Sequence, residues 1–101
     1  MKQNETDIKG QVKDYLGYKH IFNYPNTADL GCYPGLPDRV IHYRGEVIYL
    51  EIKKPKGKQS EHQINFENQC HEDGIKYFVI RSIEDLQAVL SEADGVKTHQ
   101  R

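Results

Sequence analysis

The chain has 101 residues, 37% of them hydrophobic and 29% charged, and a net charge of −1, which suits one compact domain and leaves no room for a second. No apolar run approaches the roughly 20 residues that span a bilayer, and the polar start at 1–10 lacks the apolar core of a signal peptide. A membrane partner is therefore excluded, an intracellular location is expected, and any attraction to nucleic acid must come from local clusters or bound cations rather than overall charge.

In chain order, Asn4 or Thr6 opens a helix as N-cap, and Ile8, Val12, Tyr15 and Leu16 recur along one of its faces. Gly17 is its expected stop, and Tyr18 to Tyr24 reads as a first strand ended by Pro25. The stretch 26–37 is rich in Asn, Gly and Pro, has no period, and predicts a long loop of the kind that often carries function. Arg39 to Tyr43 and Val47 to Lys53 are β-rich and flank Arg44-Gly45, which reads as a hairpin. Lys54-Pro55-Lys56-Gly57-Lys58 then forms a basic turn.

Ser60 and Gln63 have capping-box spacing and open a second helix that runs to about Asp73, with Gly74 as its stop. Tyr77 to Ile80 predicts a short buried strand, and Ser82 caps a last helix with Leu86, Val89 and Leu90 on one side. The result is a single α/β domain over 1–92, order α-β-β-β-α-β-α, with a mixed sheet flanked by helices and a polar, flexible tail over 93–101. Cys32 and Cys70 belong to no Cys-x-x-Cys pair, and with His62 and His71 they match no common zinc spacing, so both read as ordinary reduced thiols.

The chemistry concentrates on the hairpin. Alternation along the second strand puts Ile48, Leu50 and Ile52 on one face and Glu51 and Lys53 on the other. If the turn is centred on Arg44-Gly45, Tyr43 faces Glu46, Ile41 faces Ile48 and Asp38 faces Glu51. Opposed Cβ atoms lie about 4.5–5.5 Å apart, and two carboxylates that close repel unless a cation or proton sits between them. Mg²⁺, which takes one or two carboxylates and keeps its other positions for water and phosphate oxygens, suits such a gap. A three-residue loop with Gly45 in a bulge would instead slip the pairing by one and loosen the opposition. Without further context, an acid and a lysine two apart on a half-exposed strand are usually a solvated face, and an Asp before a strand is usually a turn residue.

The run Gly35-Leu36-Pro37-Asp38, then Glu51-Ile52-Lys53, then Gly57-Lys58-Gln59-Ser60-Glu61-His62-Gln63 resembles a VRR-NUC domain. VRR-NUC, the virus-type replication-repair nuclease, is a branch of the PD-(D/E)XK superfamily. Pro37-Asp38 and Glu51-Ile52-Lys53 fill the superfamily signature, Gly35 and Gln63 match the glycine and helix glutamine of the branch, and Glu5 is the candidate for its first-helix glutamate. The resemblance runs from about Glu5 to Ile80 and is closest to the stand-alone phage and bacterial type, with nothing beyond the nuclease core.

The resemblance implies a restriction-endonuclease-like fold and a Mg²⁺- or Mn²⁺-dependent endodeoxyribonuclease. It further implies a homodimer acting on branched DNA such as Holliday junctions, in repair. Asp38, Glu51, the Ile52 carbonyl and Glu5 are the expected metal ligands. Lys53 would orient the attacking water, and Gln63 would reach that water or the phosphate. Both Glu5 and Gln63 also have ordinary explanations, a first-turn acid at a helix dipole and half of a capping box. Lys54, Lys56, Lys58, Arg39 and Arg44 are the expected phosphate contacts, although a charge run is also commonly a solvated turn. Tyr33, in the long loop, is a candidate to stack on a base, although loop aromatics more often pack down. The alternatives are a non-catalytic DNA-binding module of the same fold acting through a partner, and a small interaction protein whose hairpin charges are incidental.

Overall fold

The computed structural model describes residues 3–27 and 31–95, in the order α1 (Glu5–Tyr18), β1 (Phe22–Pro25), β2 (Arg39–Tyr43), β3 (Glu46–Ile52), α2 (Glu61–Glu72), β4 (Lys76–Ile80) and α3 (Ile83–Ala93). Most of the tail expected beyond Ala93 lies outside the described residues. The four strands form one sheet in the order β1-β2-β3-β4. Antiparallel pairing joins β1 to β2 and β2 to β3, while β3 and β4 run parallel and are connected through α2. A parallel pair needs a crossover of this kind, because a tight turn can only join antiparallel strands.

Asn4 is the first N-cap, its side chain accepting from the Asp7 N–H at 2.7 Å. The stop is not Gly17. The helix continues to Tyr18, and His20 takes the left-handed conformation at φ 58. Ile21 N–H donates to the Leu16 carbonyl at 2.9 Å and His20 N–H to that of Gly17 at 3.0 Å, a Schellman closure on a residue type that tolerates positive φ. That closure uses the residues expected to begin β1, so the strand starts only at Phe22. Gly74, at φ 76, closes α2 in the same way, with Ile75 N–H on the Cys70 carbonyl at 2.8 Å.

The hairpin register is fixed by its turn. Arg44 (φ 54) and Gly45 (φ 80) are both left-handed, the requirement of a two-residue type I′ turn, and Tyr43 pairs with Glu46, Ile41 with Ile48 and Arg39 with Leu50. The bulged alternative is not formed. At the hairpin tip, Tyr43 Oη and Arg44 Nε each donate to Asp94 Oδ1 at 2.7 Å, tying the turn to the end of α3.

With this register, Ile41, Ile48, Leu50, Ile52 and Ile80 line one sheet face and bury against Ile8, Val12 and Leu16 of α1 and Leu86, Val89 and Leu90 of α3. Each fully buried aliphatic side chain contributes about 1.5–3 kcal/mol relative to exposure, so this face holds the fold together. Helix α2 covers part of the opposite face, where Phe66 meets Tyr49 and Tyr77 at ring-centroid distances of 5.7 and 6.2 Å. Tyr49 and Glu51, on this face of β3, meet Phe66 and Gln63 of α2, and this is what turns a strand acid into a buried one.

Candidate active site

Asp38 stands where β2 begins, behind buried Pro37. The end of β1 holds this dipeptide in place. Asn26 N–H donates to the Asp38 carbonyl at 2.9 Å, and Asn26 Nδ2 donates to the Pro37 carbonyl at 2.8 Å. Asp38 Oδ2 accepts from the backbone N–H of Ile52 at 2.7 Å, so the carboxylate is drawn across to β3 rather than capping its own turn. Oδ1 lies 3.2 Å from Lys9 Nζ.

Glu51 is only 1% exposed and is the sole buried charged side chain among the described residues. One of its oxygens, Oε2, accepts from Gln63 Nε2 at 2.8 Å and lies 3.6 Å from Lys53 Nζ. The other, Oε1, is buried with no hydrogen-bond partner. Burial, followed by the nearby Asp38 carboxyl, pushes the Glu51 carboxyl up to about 8, and Lys53 only partly opposes this. A solvated strand acid would be exposed and satisfied by water, so that ordinary explanation does not hold for Glu51.

Gln63 forms the expected capping box and also contacts Glu51. Its Oε1 accepts from Ser60 N–H at 2.8 Å and its own N–H donates to Ser60 Oγ at 3.2 Å, completing the capping box. Fixing the amide oxygen this way aims the Nε2 donor at Glu51.

Glu5 is not brought into this group. Its carboxylate pairs with Lys9 Nζ at 3.5 Å, one helical turn on, and Lys9 stands between it and Asp38. Lys9 was invisible from sequence because its i,i+4 pairing with Glu5 predicts only a surface ion pair; its reach to Asp38 depends on how α1 lies against the sheet. Ile52 meets Asp38 through its N–H.

The basic residues separate into two places. Lys54, Lys56 and Lys58 are exposed on the turn that follows the site. Arg81 anchors that turn, its Nη1 donating to the carbonyls of Lys54 at 3.0 Å and Gly57 at 2.6 Å. Arg81 was not anticipated, since a lone arginine at the end of a strand gives no sequence signal for a distant turn. Arg39 is partly buried, and its guanidinium donates to Asn23 Oδ1. Arg44 is at the far end of the hairpin, engaged by Asp94. At about 3.4 Å per residue, the length of β3 puts it roughly 20 Å from Glu51.

The donor set fits a hard divalent cation. Two carboxylates converge, and one carries an orphaned buried oxygen, a situation that costs about 1–3 kcal/mol when left unrelieved. No group of three or more His, Cys, Asp or Glu side chains with metal-site geometry occurs among the described residues.

The sequence matches no protein-family model and no curated protein. The fold does find counterparts. A solved structure named "VRR_NUC domain protein" superposes with a TM-score of 0.77 over 96% of this chain and 93% of that one, at 15% identity. Another, named "VRR_NUC domain", superposes with a TM-score of 0.66 over 90% of each chain, at 18% identity. At such identities the likeness is one of fold. This chain has the α/β fold of VRR_NUC domain proteins, a mixed four-stranded sheet with three helices, as its sequence resemblance implies.

Proposed function

We propose that this chain is a metal-dependent nuclease of the VRR-NUC type that hydrolyses DNA phosphodiester bonds at Asp38, Glu51 and Lys53. The observation that carries this reading is the buried, unpartnered Oε1 of Glu51 beside the Asp38 carboxyl. A protein that merely binds or interacts gains nothing from sealing one carboxylate under a helix next to another. The names of the two structural counterparts support the same activity.

Asp38 and Glu51 would hold Mg²⁺ or Mn²⁺, with the Ile52 carbonyl as a further ligand. When bound, the ion lowers the pKa of a coordinated water and polarises the phosphate. Lys53, its side chain 12% exposed and its ammonium 3.6 Å from Glu51, would orient the water and stabilise charge on the phosphate oxygens. Gln63 keeps Glu51 in place and offers a second donor. Lys54, Lys56 and Lys58, together with Arg39, would contact the flanking backbone. Glu5 acts through Lys9, setting the charge at the edge of the site.

The substrate in this reading is branched DNA, cut by a homodimer. Melting the protein with and without Mn²⁺, beside a nicking assay on labelled DNA, tests the proposal. A bound ion at a hundred-fold excess over its dissociation constant adds about 2.7 kcal/mol. No Mn²⁺-dependent stabilisation and no cutting would place the chain among proteins that keep the fold without the chemistry.

A further inference from the structure

A cavity of about 330 Å³ opens beside Asp38, on the side of the long loop. Asp38 and Gln63 belong to its wall together with Tyr33, Leu36, Pro37 and His62. Its size is within the range of small-ligand pockets, and its walls combine apolar surface with a few polar groups, as such pockets do.

The wall is built rather than incidental. Gly35, at φ 86, brings the loop so close to α2 that a Cβ there would lie 2.3 Å from the His62 carbonyl oxygen. Tyr33, two residues earlier, has its ring centroid 6.0 Å from that of Phe66 and yet remains 67% exposed. One edge of the ring is thus braced by α2 while most of its surface is left open. An aromatic ring that served only as core would be covered.

We propose that this cavity receives an unpaired nucleobase of the DNA strand being cut, the base adjoining the scissile phosphate, stacked on Tyr33. The inference rests on the nuclease reading, because it takes the phosphate to lie at Asp38 and Glu51. The base attached to that phosphate then has the cavity as its neighbour. An aromatic face accepts any base, and stacking of this kind changes affinity by roughly ten-fold or more when the ring is removed. A base inside a duplex must first be unstacked to enter, whereas one in the single-stranded part of a fork or gap is already free. The pocket therefore selects DNA with an unpaired nucleotide next to the cut.

The test places 2-aminopurine at successive positions of a forked DNA and of the matching duplex and titrates each with the full chain in Mg²⁺, using Lys53→Ala to prevent cutting. The expected result is a saturable fluorescence change at one or two fork positions and not in the duplex. Tyr33→Leu should weaken that binding about ten-fold, and Tyr33→Phe should restore it. A response that is the same at every position, or that Tyr33→Leu leaves alone, overturns the pocket. An RNA fork of the same sequence bound more tightly overturns its assignment to DNA. The metal site is read separately from the Mn²⁺ melting shift, which involves no DNA, so failure of the pocket and failure of the nuclease reading give different results.

Discussion

Glu51 is the residue on which the chemistry turns. Its raised carboxyl means that the folded, metal-free protein holds a proton there which the unfolded chain, near 4.5, has already released. Between those values the folded state binds more protons. The stabilising contribution is thus complete below about pH 4.5 and is lost as pH rises toward about 8. A metal ion needs the ionised carboxylate, so Mn²⁺ should bind more tightly as pH rises through the same window, by up to about ten-fold per unit. Glu51→Gln should abolish the Mn²⁺ response. In metal-free protein above pH 8 it should match or exceed the parent's melting temperature, because it removes an uncompensated buried charge. Melting curves across pH with a chelator, and again with Mn²⁺, check both parts. A variant that melts earlier at high pH yet still responds to Mn²⁺ would show that Glu51 is a structural acid.

At the scale of elements, the loop before β2 and the turn after β3 frame the site and can be probed separately. Gly35→Ala must resolve both a left-handed backbone and a Cβ 2.3 Å from the His62 carbonyl. We expect a cost of roughly 2–4 kcal/mol, read as a fall in Tm of about 10 °C or more. An alanine variant melting with the parent would mean that the loop does not seat on α2 as described. The turn carrying Lys54, Lys56 and Lys58 predicts a shallow salt dependence of DNA binding. Three or four phosphate contacts give a slope of about −3 in log K against log salt, and replacing the three lysines with alanine should flatten it. A steep slope that survived the replacement would place the DNA elsewhere.

The same elements show what was legible beforehand. The alternation of β3, the capping box at Ser60 and the Pro37-Asp38 turn are local patterns, and they located the strands, α2 and the converging acids. The bulge alternative existed because Arg-Gly is not a favoured type I′ pair; only the positive φ at Arg44 decides it. The helix end at His20 was hidden because glycine is the usual stop, and Gly17 stood three residues too early. Lys9, Arg81 and the depth of Glu51 depend on how helices lie against the sheet, and no spacing along the chain encodes that. The Ser60–Gln63 spacing signals the cap, while the contact that the capped amide makes with Glu51 depends on how α2 lies over the sheet.

For the whole molecule, the net charge of −1 and small size leave little surface beside the site to grip a duplex. A two-fold homodimer would double the phosphate contacts and present two sites to two strands. We expect sedimentation at micromolar concentration to give a dimer, and competition to favour four-way junctions over linear duplex. A monomer with no preference for branched DNA would leave the chemistry standing and remove this substrate. The central claim is tested most directly by one cleavage assay, comparing the parent with Lys53→Ala on labelled branched DNA in Mn²⁺. Lys53 touches Glu51 yet is not itself a ligand, so the account predicts that the parent cuts and that the variant, still stabilised by Mn²⁺, does not. Cutting by Lys53→Ala at the parent rate would contradict it.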